Sequence, residues 1–370
     1  MKGQKIAFRV DASLQSGAGH VMRCLTLANA LRARGATCRF VCRSQPGDLV
    51  DLLREHEHEV LMLAMPSTNS AKTASAVPYA DWLLTSWQTD AEQTQAALSA
   101  AGSQDWLVVD HYALDAQWEL AVSGTSRHLL VIDDLAIRQH HADLLLDQTF
   151  DRKSADYQSL VNPECELRCG IEYVLLRPEF DIWRARSLAQ RVSPHLKQVL
   201  ISLGGVDLAN ISRDILLAFR DPRLPADLEI CLVLGASSPW IEEMRRLSET
   251  IPGVELKVAV DNMAELLANC DLAIGAAGSS AWERCCLGVP TLMLVLADNQ
   301  CEIALQLSAT GAAQLLTPGP DLHEQLVHSI EAIKANPDQL GEMSRQAAAL
   351  VPGSGVGRIV QAMMGALPCQ

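Results

Sequence analysis

"KIAFRVDASLQSGAGHVMRCLTLANAL", residues 5–31, decides the fold. Its apolar run Ile6–Val10 reads as a strand, and from Val21 onward Val21, Cys24, Ala28 and Leu31 fall on one face of a 3.6-residue helix. Between them Ser16, Gly17, Ala18 and Gly19 make a turn with almost no side chain. Such a turn lets the backbone approach a ligand closely, and the helix N-terminus that follows favours an anion. The same order returns at "QVLISLGGVDLANISRDILLAF", residues 198–219: strand, Gly-Gly loop, helix. Two such openings predict an α/β chain of two doubly wound, Rossmann-type domains, each with its binding loops at the carboxyl ends of its strands.

The rest of the chain alternates strand-length apolar runs with helical patterns. Further strands are expected near Thr37–Cys42, Val60–Leu63, Trp106–Val109, Leu129–Ile132 and Leu144–Leu146 in the first half. In the second half they are expected near Glu229–Leu234, Leu256–Val258, Leu272–Ile274 and Thr291–Val295. The expected division is an N-terminal domain over 1–182, a linker over 183–196, a second domain over 197–350 and a tail over 351–370. The linker reading rests on "DIWRARSLAQRVSPH", which is basic, polar and contains Pro194. Two such domains facing each other are expected to close a cleft between their loops.

Composition narrows the partners. Of 370 residues 49% are hydrophobic and 20% charged, enough for two sizeable cores. A formal net charge of −14 argues against a nucleic-acid or anionic-membrane partner, although backbone N–H groups still hold a small anion locally. Arg9 and Asp11 interrupt the first apolar run, so it does not read as a secretory segment. No run approaches the ~20 apolar residues of a membrane span. Eleven cysteines at irregular spacing, with no C-x-x-C, fit buried reduced thiols and a cytoplasmic protein.

The most specific signal is "CDLAIGAAGSSAWERCCLGVPTLMLVLADNQ", residues 270–300. After the strand Leu272–Ile274, a turn of small residues over 275–280 opens a helix. Bare N–H groups around Gly278 and the hydroxyls of Ser279 and Ser280 suit a diphosphate. Glu283, one turn in, is placed to accept both hydroxyls of a ribose. Gly204 and Gly205 reach the same edge from that domain's first strand, and the strand after Gly288 and Pro290 delivers Asp298, Asn299 and Gln300 there. In the first domain the matching candidates are His20 with Gly17 and Gly19, and Arg9 and Asp11 on the preceding strand.

The helix followed by "GVP" resembles the nucleotide-binding half of glycosyltransferases with the two-domain GT-B fold. "RVDASLQSGAGHVMRCLTLA" (9–28), "VVDHYALD" (108–115), "VIDDLA" (131–136), "RCGIEYVLLRPEF" (168–180) and "ISLGGVD" (201–207) narrow it further. In that order they resemble the UDP-2,4-diacetamido-2,4,6-trideoxy-β-L-altropyranose hydrolases of bacterial pseudaminic acid biosynthesis. The similarity runs to about Gly311, and beyond Pro318 only "PGSGVGRIV" (352–360) echoes it. The resemblance implies a sugar nucleotidase that needs no metal or cofactor. It would break the bond between the anomeric carbon and the β-phosphate oxygen with inversion, releasing UDP and the free sugar. It also implies His20 as the base, Tyr112 and Asn299 beside the reacting sugar, and Glu283 as the ribose-binding carboxylate. A neutral imidazole at pH 7 is a competent general base.

Other readings compete. Asp110, His111, Asp133, Asp134, His140, His141 and Asp143 supply donors for a divalent ion, which would make a metal-dependent phosphoesterase. Against it, Asp110 and Asp133 end strands, where carboxylates bond neighbouring loops, and no H-E-x-x-H spacing occurs. A GT-B transferase with its own acceptor and a catalytically silent nucleotide-sugar binder are the remaining rivals. Asn299 as a helix cap, Tyr112 as packing and Glu283 as a solvated carboxylate are the plain structural alternatives. Trp82 and Trp87 read as packing residues ahead of a substrate edge.

Overall fold

The computed structural model describes residues 1–65, 79–297 and 300–365. The first unit contains β1 (Lys5–Val10), β2 (Thr37–Arg43), β3 (Glu59–Leu63), β4 (Gln104–Asp110), β5 (Ser126–Ile132), β6 (Leu144–Asp147) and β7 (Glu166–Cys169). These pair in the order β3-β2-β1-β4-β5-β6-β7, every pair parallel. Parallel strands covered on both faces need apolar residues at nearly every position, and this one does so by parity. Ile6, Phe8 and Val10 enter the core beneath the helix Gly19–Arg32, meeting Cys24, Leu27 and Leu31. Ala7 enters the opposite core with Leu107, Val109 and Leu98 of the helix Trp87–Ala101. That helix starts where the Ser86 side chain accepts from the Thr89 N–H, a cap that satisfies one of its unpaired donors.

The second unit contains β8 (Gln198–Ser202), β9 (Glu229–Leu234), β10 (Val254–Val258), β11 (Leu272–Ala276), β12 (Thr291–Leu294) and β13 (Ala313–Leu316). Their order is β10-β9-β8-β11-β12-β13, again all parallel. Its core joins Val199, Ile201, Leu232, Ile274 and Leu292 to Leu326 and Ile330 of the helix Leu322–Ala335. The two doubly wound units expected from the repeated opening are present.

Their borders differ from the expected ones. The first unit is Met1–Leu176 together with the helix Gly355–Gly365, and the second is Arg177–Gly353. The stretch 183–196 is no spacer, because most of it belongs to a helix, Pro178–Gln190, in the second unit. Its three arginines gave it a solvated appearance, yet two of them bond backbone carbonyls. Arg184 donates to Ala348 and Val351 at 2.8 and 2.9 Å and also to Cys286, and Arg191 donates to Leu267, Ala268 and Cys270 at 2.8–3.1 Å. Guanidinium groups here satisfy carbonyls that helix ends leave unpaired. The expected tail returns to the first unit and buries Ile359, Val360 and Met363 in its core. Gly355 permits this contact, since a Cβ there would come 2.2 Å from the Val174 carbonyl oxygen. No helix among the described residues is long and apolar enough to cross a membrane.

Candidate active site

In the first sheet the strand order reverses between β1 and β4, so the loops leaving their carboxyl ends meet there. The β1 loop turns at Gly17, whose φ of 75° suits glycine, and enters the helix whose first turn carries His20. β4 ends on Asp110. His20 Nδ1 lies 2.6 Å from Asp110 Oδ1. Arg23, three residues after His20 on the same helix face, donates to both Asp110 oxygens at 2.6 and 2.7 Å and to Asp134 Oδ2 at 2.6 Å. Burial favours the protonated form of Asp110, but Arg23 and then His20 outweigh it and hold the carboxyl well below the usual range. An ionised carboxylate only accepts, so His20 Nδ1 carries the hydrogen, and in a neutral ring Nε2 is then the nitrogen that can accept one. A base oriented by a buried, fixed carboxylate is the arrangement proton-abstracting sites use.

Tyr112 follows Asp110 by two residues. Its phenol donates to Asp134 Oδ2 at 2.8 Å, and burial together with Asp134 pushes its ionisation up. Its proton is therefore committed to Asp134, and its ring meets His20 edge-on at 4.6 Å. Arg9 and Asp11 do not join this set. Arg9 is fully buried and lies on the Ala7 side of the sheet, where it pairs with Asp90 and Asp11 at 2.7 Å each. Asp11 is spent on Arg9 and on the Arg43 N–H at 2.7 Å, with His111 Nε2 3.5 Å away. Both are engaged in buried ion pairs on this side of the sheet. Gly19 opens the His20 helix, and a Cβ there would meet nothing within 4 Å.

The second sheet reverses between β8 and β11. Gly204, at φ 93°, and Gly205 follow β8, and β11 leads into the helix Ser280–Cys286 through Gly278 and the exposed Ser279. Beneath that turn lies Arg284, a buried side chain the sequence did not single out. It donates to the Ala276 carbonyl at 2.6 Å and to Ser280 Oγ at 3.1 Å. Because Ser280 Oγ accepts from Arg284, its own O–H can be donated to another acceptor. Gly275 makes room for this, since a Cβ there would lie 2.6 Å from Arg284 Nη1. Half-buried Glu283 has its carboxyl pushed up by burial against the pull of Arg177, 3.7 Å away. Asn299 lies outside the described residues, and Gln300 beside it accepts from the Leu296 N–H at 3.0 Å.

The aspartate–histidine run is divided among separate partners. Asp110 belongs to His20 and Arg23. Asp133 accepts from Arg138 and from Tyr157 at 2.8 Å, and Asp143 accepts from the Leu129 N–H at 2.7 Å. His140 lies 2.7 Å from Glu119 and 3.7 Å from Asp133. With cationic and N–H donors filling these oxygens, the run offers no converging donor set. Among the described residues Asp221, His323 and Glu324 do converge, but Arg223 pairs with both carboxylates. Burial opposes the His140 cation, yet Asp133 and Glu119 outweigh it and push His140 up to about 9. A raised value means that its stabilisation is fully present below pH ~6.5 and is lost as pH rises through about 9. Urea midpoints should therefore fall between pH 6.5 and 9, and His140→Gln should flatten that slope.

Residues 200–354, which contain the Gly275–Ser280 turn, match the glycosyltransferase family 28 C-terminal domain. Across the whole chain MurG of Acinetobacter baumannii superposes with a TM-score of 0.66 at 15% identity, covering 98% of this chain and 99% of that one. UGT2 of Phytolacca americana, solved with UDP-2fluoro-glucose and pterostilbene, gives 0.67 at 11% identity, covering 99% of each. The fold is GT-B-like. This GT-B-like chain is 26% identical to the UDP-2,4-diacetamido-2,4,6-trideoxy-β-L-altropyranose hydrolase of Campylobacter jejuni, over 83% of its own length and 97% of that protein. It is 29% identical to the spore coat polysaccharide biosynthesis protein SpsG of Bacillus subtilis, over 51% of its own length and 56% of that protein. The resemblance carried by the five sequence blocks is borne out as that of a distant relative.

Proposed function

We propose that this chain is an enzyme acting on a UDP-sugar, and that its reaction is hydrolysis. The observation that carries this reading is the His20–Asp110–Arg23 arrangement at the carboxyl ends of β1 and β4. His20 Nε2 takes a proton from water, and the water oxygen bonds to the anomeric carbon from the face opposite the leaving group. The anomeric C–O bond breaks, and its electron pair leaves with UDP, so configuration inverts. No step in this sequence calls for a metal or cofactor. Departing charge on the diphosphate needs donors fixed in advance, and the N–H groups at 275–280 with the Ser280 O–H are suited to that. Asn299 and the Tyr112 ring are assigned to the sugar, and Gly204, Gly205, Gly278, Ser279 and Glu283 to UDP.

The substrate proposed is UDP-2,4-diacetamido-2,4,6-trideoxy-β-L-altrose of pseudaminic acid biosynthesis, supported by the name of the Campylobacter relative. A net charge of −14 fits a small-molecule partner better than nucleic acid or a membrane surface, and the setting proposed is the cytoplasm. The family 28 domain favours a second reading, transfer of the sugar to an acceptor other than water.

Hydrolysis in ¹⁸O-water, with and without a chelator, tests the assignment. Label in the sugar hydroxyl, insensitive to chelation, is the expected result. Label in the UDP phosphate, lost on chelation, would overturn it, and UDP release only after an acceptor is added would favour transfer. Glu283→Ala is expected to weaken UDP binding by about tenfold, the scale of a hydrogen bond to a charged group, with a smaller change in kcat. Calorimetry with UDP set beside steady-state kinetics checks this.

A further inference from the structure

We infer that Tyr79, Trp82 and Tyr112 form an aromatic wall beside His20 that receives the methyl-bearing side of the sugar and so selects deoxy, N-acetylated hexoses. The inference rests on the UDP-sugar reading above and deepens it. The rings of Trp82 and Tyr112 lie 5.6 Å apart and 25° from parallel. Tyr79 is 4.9 Å from Trp82 and 5.3 Å from Tyr112, while His20 is 4.6 Å from Tyr112 and 6.2 Å from Trp82. A cluster that served only packing would be covered. Tyr79 is instead 39% exposed, and Trp82 and Tyr112 are half-buried.

The wall is also held in place. The turn Ala80–Leu83 is flanked by Tyr79 at φ 65° and Leu84 at φ 59°, conformations that cost a residue with a side chain. Buried Leu83 anchors the turn from below, and Gln45 donates to the Trp82 carbonyl at 3.0 Å. Tyr112 is fixed through its phenol to Asp134, with Arg138 5.8 Å from its ring centroid. Aromatic faces pair well with C–H and methyl groups and poorly with hydroxyls. A 2,4-diacetamido-6-deoxyhexose offers its C6 methyl and two acetyl methyls to such a surface. A hexose with a hydroxymethyl at C5 and one acetamido group offers far less.

The test compares UDP-2,4-diacetamido-2,4,6-trideoxy-β-L-altrose with UDP-N-acetylglucosamine in the intact protein. Dissociation constants for both and for UDP alone are measured by calorimetry, and KM and kcat where turnover occurs. Trp82→Ala is expected to weaken the methyl-rich ligand by about 10–100-fold, the range an apolar pocket discriminates. UDP affinity should stay in place, preference between the two sugars should collapse, and Trp82→Phe should restore most of it. Tyr79→Asn, which tolerates the left-handed backbone, should move the preference the same way and serves if Trp82→Ala does not fold. Turnover with an unchanged preference in Trp82→Ala would overturn the wall and leave the hydrolase reading standing. Selective loss of methyl-rich binding without turnover in the wild type would do the reverse. Failure of the wild type to bind either sugar nucleotide would overturn both.

Discussion

His20→Ala is expected to lower kcat for UDP-sugar hydrolysis by about 10²–10⁴-fold, the contribution a positioned general base makes. UDP affinity should change by less than about twofold, because in the proposed mechanism the residue acts on water and not on the nucleotide. The expectation follows from geometry. Asp110 is ionised, fully buried and only 2.6 Å from Nδ1, so Nδ1 carries the hydrogen and the neutral ring is held in the tautomer whose Nε2 can accept a proton. Asp110→Asn is then the informative companion. It keeps the shape, removes the charge that fixes the tautomer and leaves the buried Arg23 guanidinium with only Asp134 as an ionic partner. Its kcat should fall nearly as far as that of His20→Ala, and its stability should fall as well. Steady-state kinetics, UDP calorimetry and urea unfolding on the same preparations separate the two effects. Wild-type turnover by His20→Ala would remove the base assignment and leave water to be activated by another group.

How much of this was legible depends on whether a feature is local. β1, β4 and β9 could be read because strands buried on both faces are continuous apolar runs, and Glu229–Leu234 agrees to the residue. β7 and β13 escaped notice because each is a four-residue strand at a sheet edge, and "ELRC" mixes charge with apolar residues. The helix Pro178–Gln190 passed for a spacer because arginines bonded to distant carbonyls look, in sequence, like arginines in water. Asp110 was weighed as a metal donor for the same reason. It sits 90 residues from His20, and only the sheet order, with β4 beside β1, brings the two together. Arg9 had a usable local signal: on β1 it shares parity with Ala7, not with Ile6 and Phe8, and so it points into a core. Trp82 was weighed at a substrate edge and read as packing, because nothing nearby in sequence announces Tyr112 beside it.

Asp90→Ala is expected to cost about 3–5 kcal/mol of stability, the scale on which removing one partner strands a buried charge. Asp90 stands in the first turn of the helix Trp87–Ala101 and gathers three donors from elsewhere in the chain. Arg9 approaches at 2.7 and 3.1 Å, Arg43 at 2.9 Å and the Trp118 indole N–H at 3.0 Å. Asp90, Arg9 and Arg43 are all 0% exposed, so water cannot replace a lost partner. Without the carboxylate, Arg9 keeps Asp11, but Arg43 is left with only neutral oxygens, from Gln93 at 2.9 Å and Ala64. Burial alone would raise the Asp90 carboxyl, but Arg9 and Arg43 reverse that and lower it. A depressed value gives stability that is present above the unfolded-state value near pH ~4 and disappears as pH falls through the folded one. Asp90→Ala should therefore lose urea midpoint at pH 7 and show a flatter decline in acid than the wild type. The exposed pair Asp51–Arg54, at 3.3 Å, supplies the contrast, and Asp51→Ala should cost less than about 1 kcal/mol. The consequence reaches the site, because this helix begins five residues after Trp82 and its first turn is what Asp90 secures. If Asp90→Ala unfolded at the wild-type midpoint, the buried arginines would have to find their compensation elsewhere, and the anchoring of the aromatic turn would need another cause.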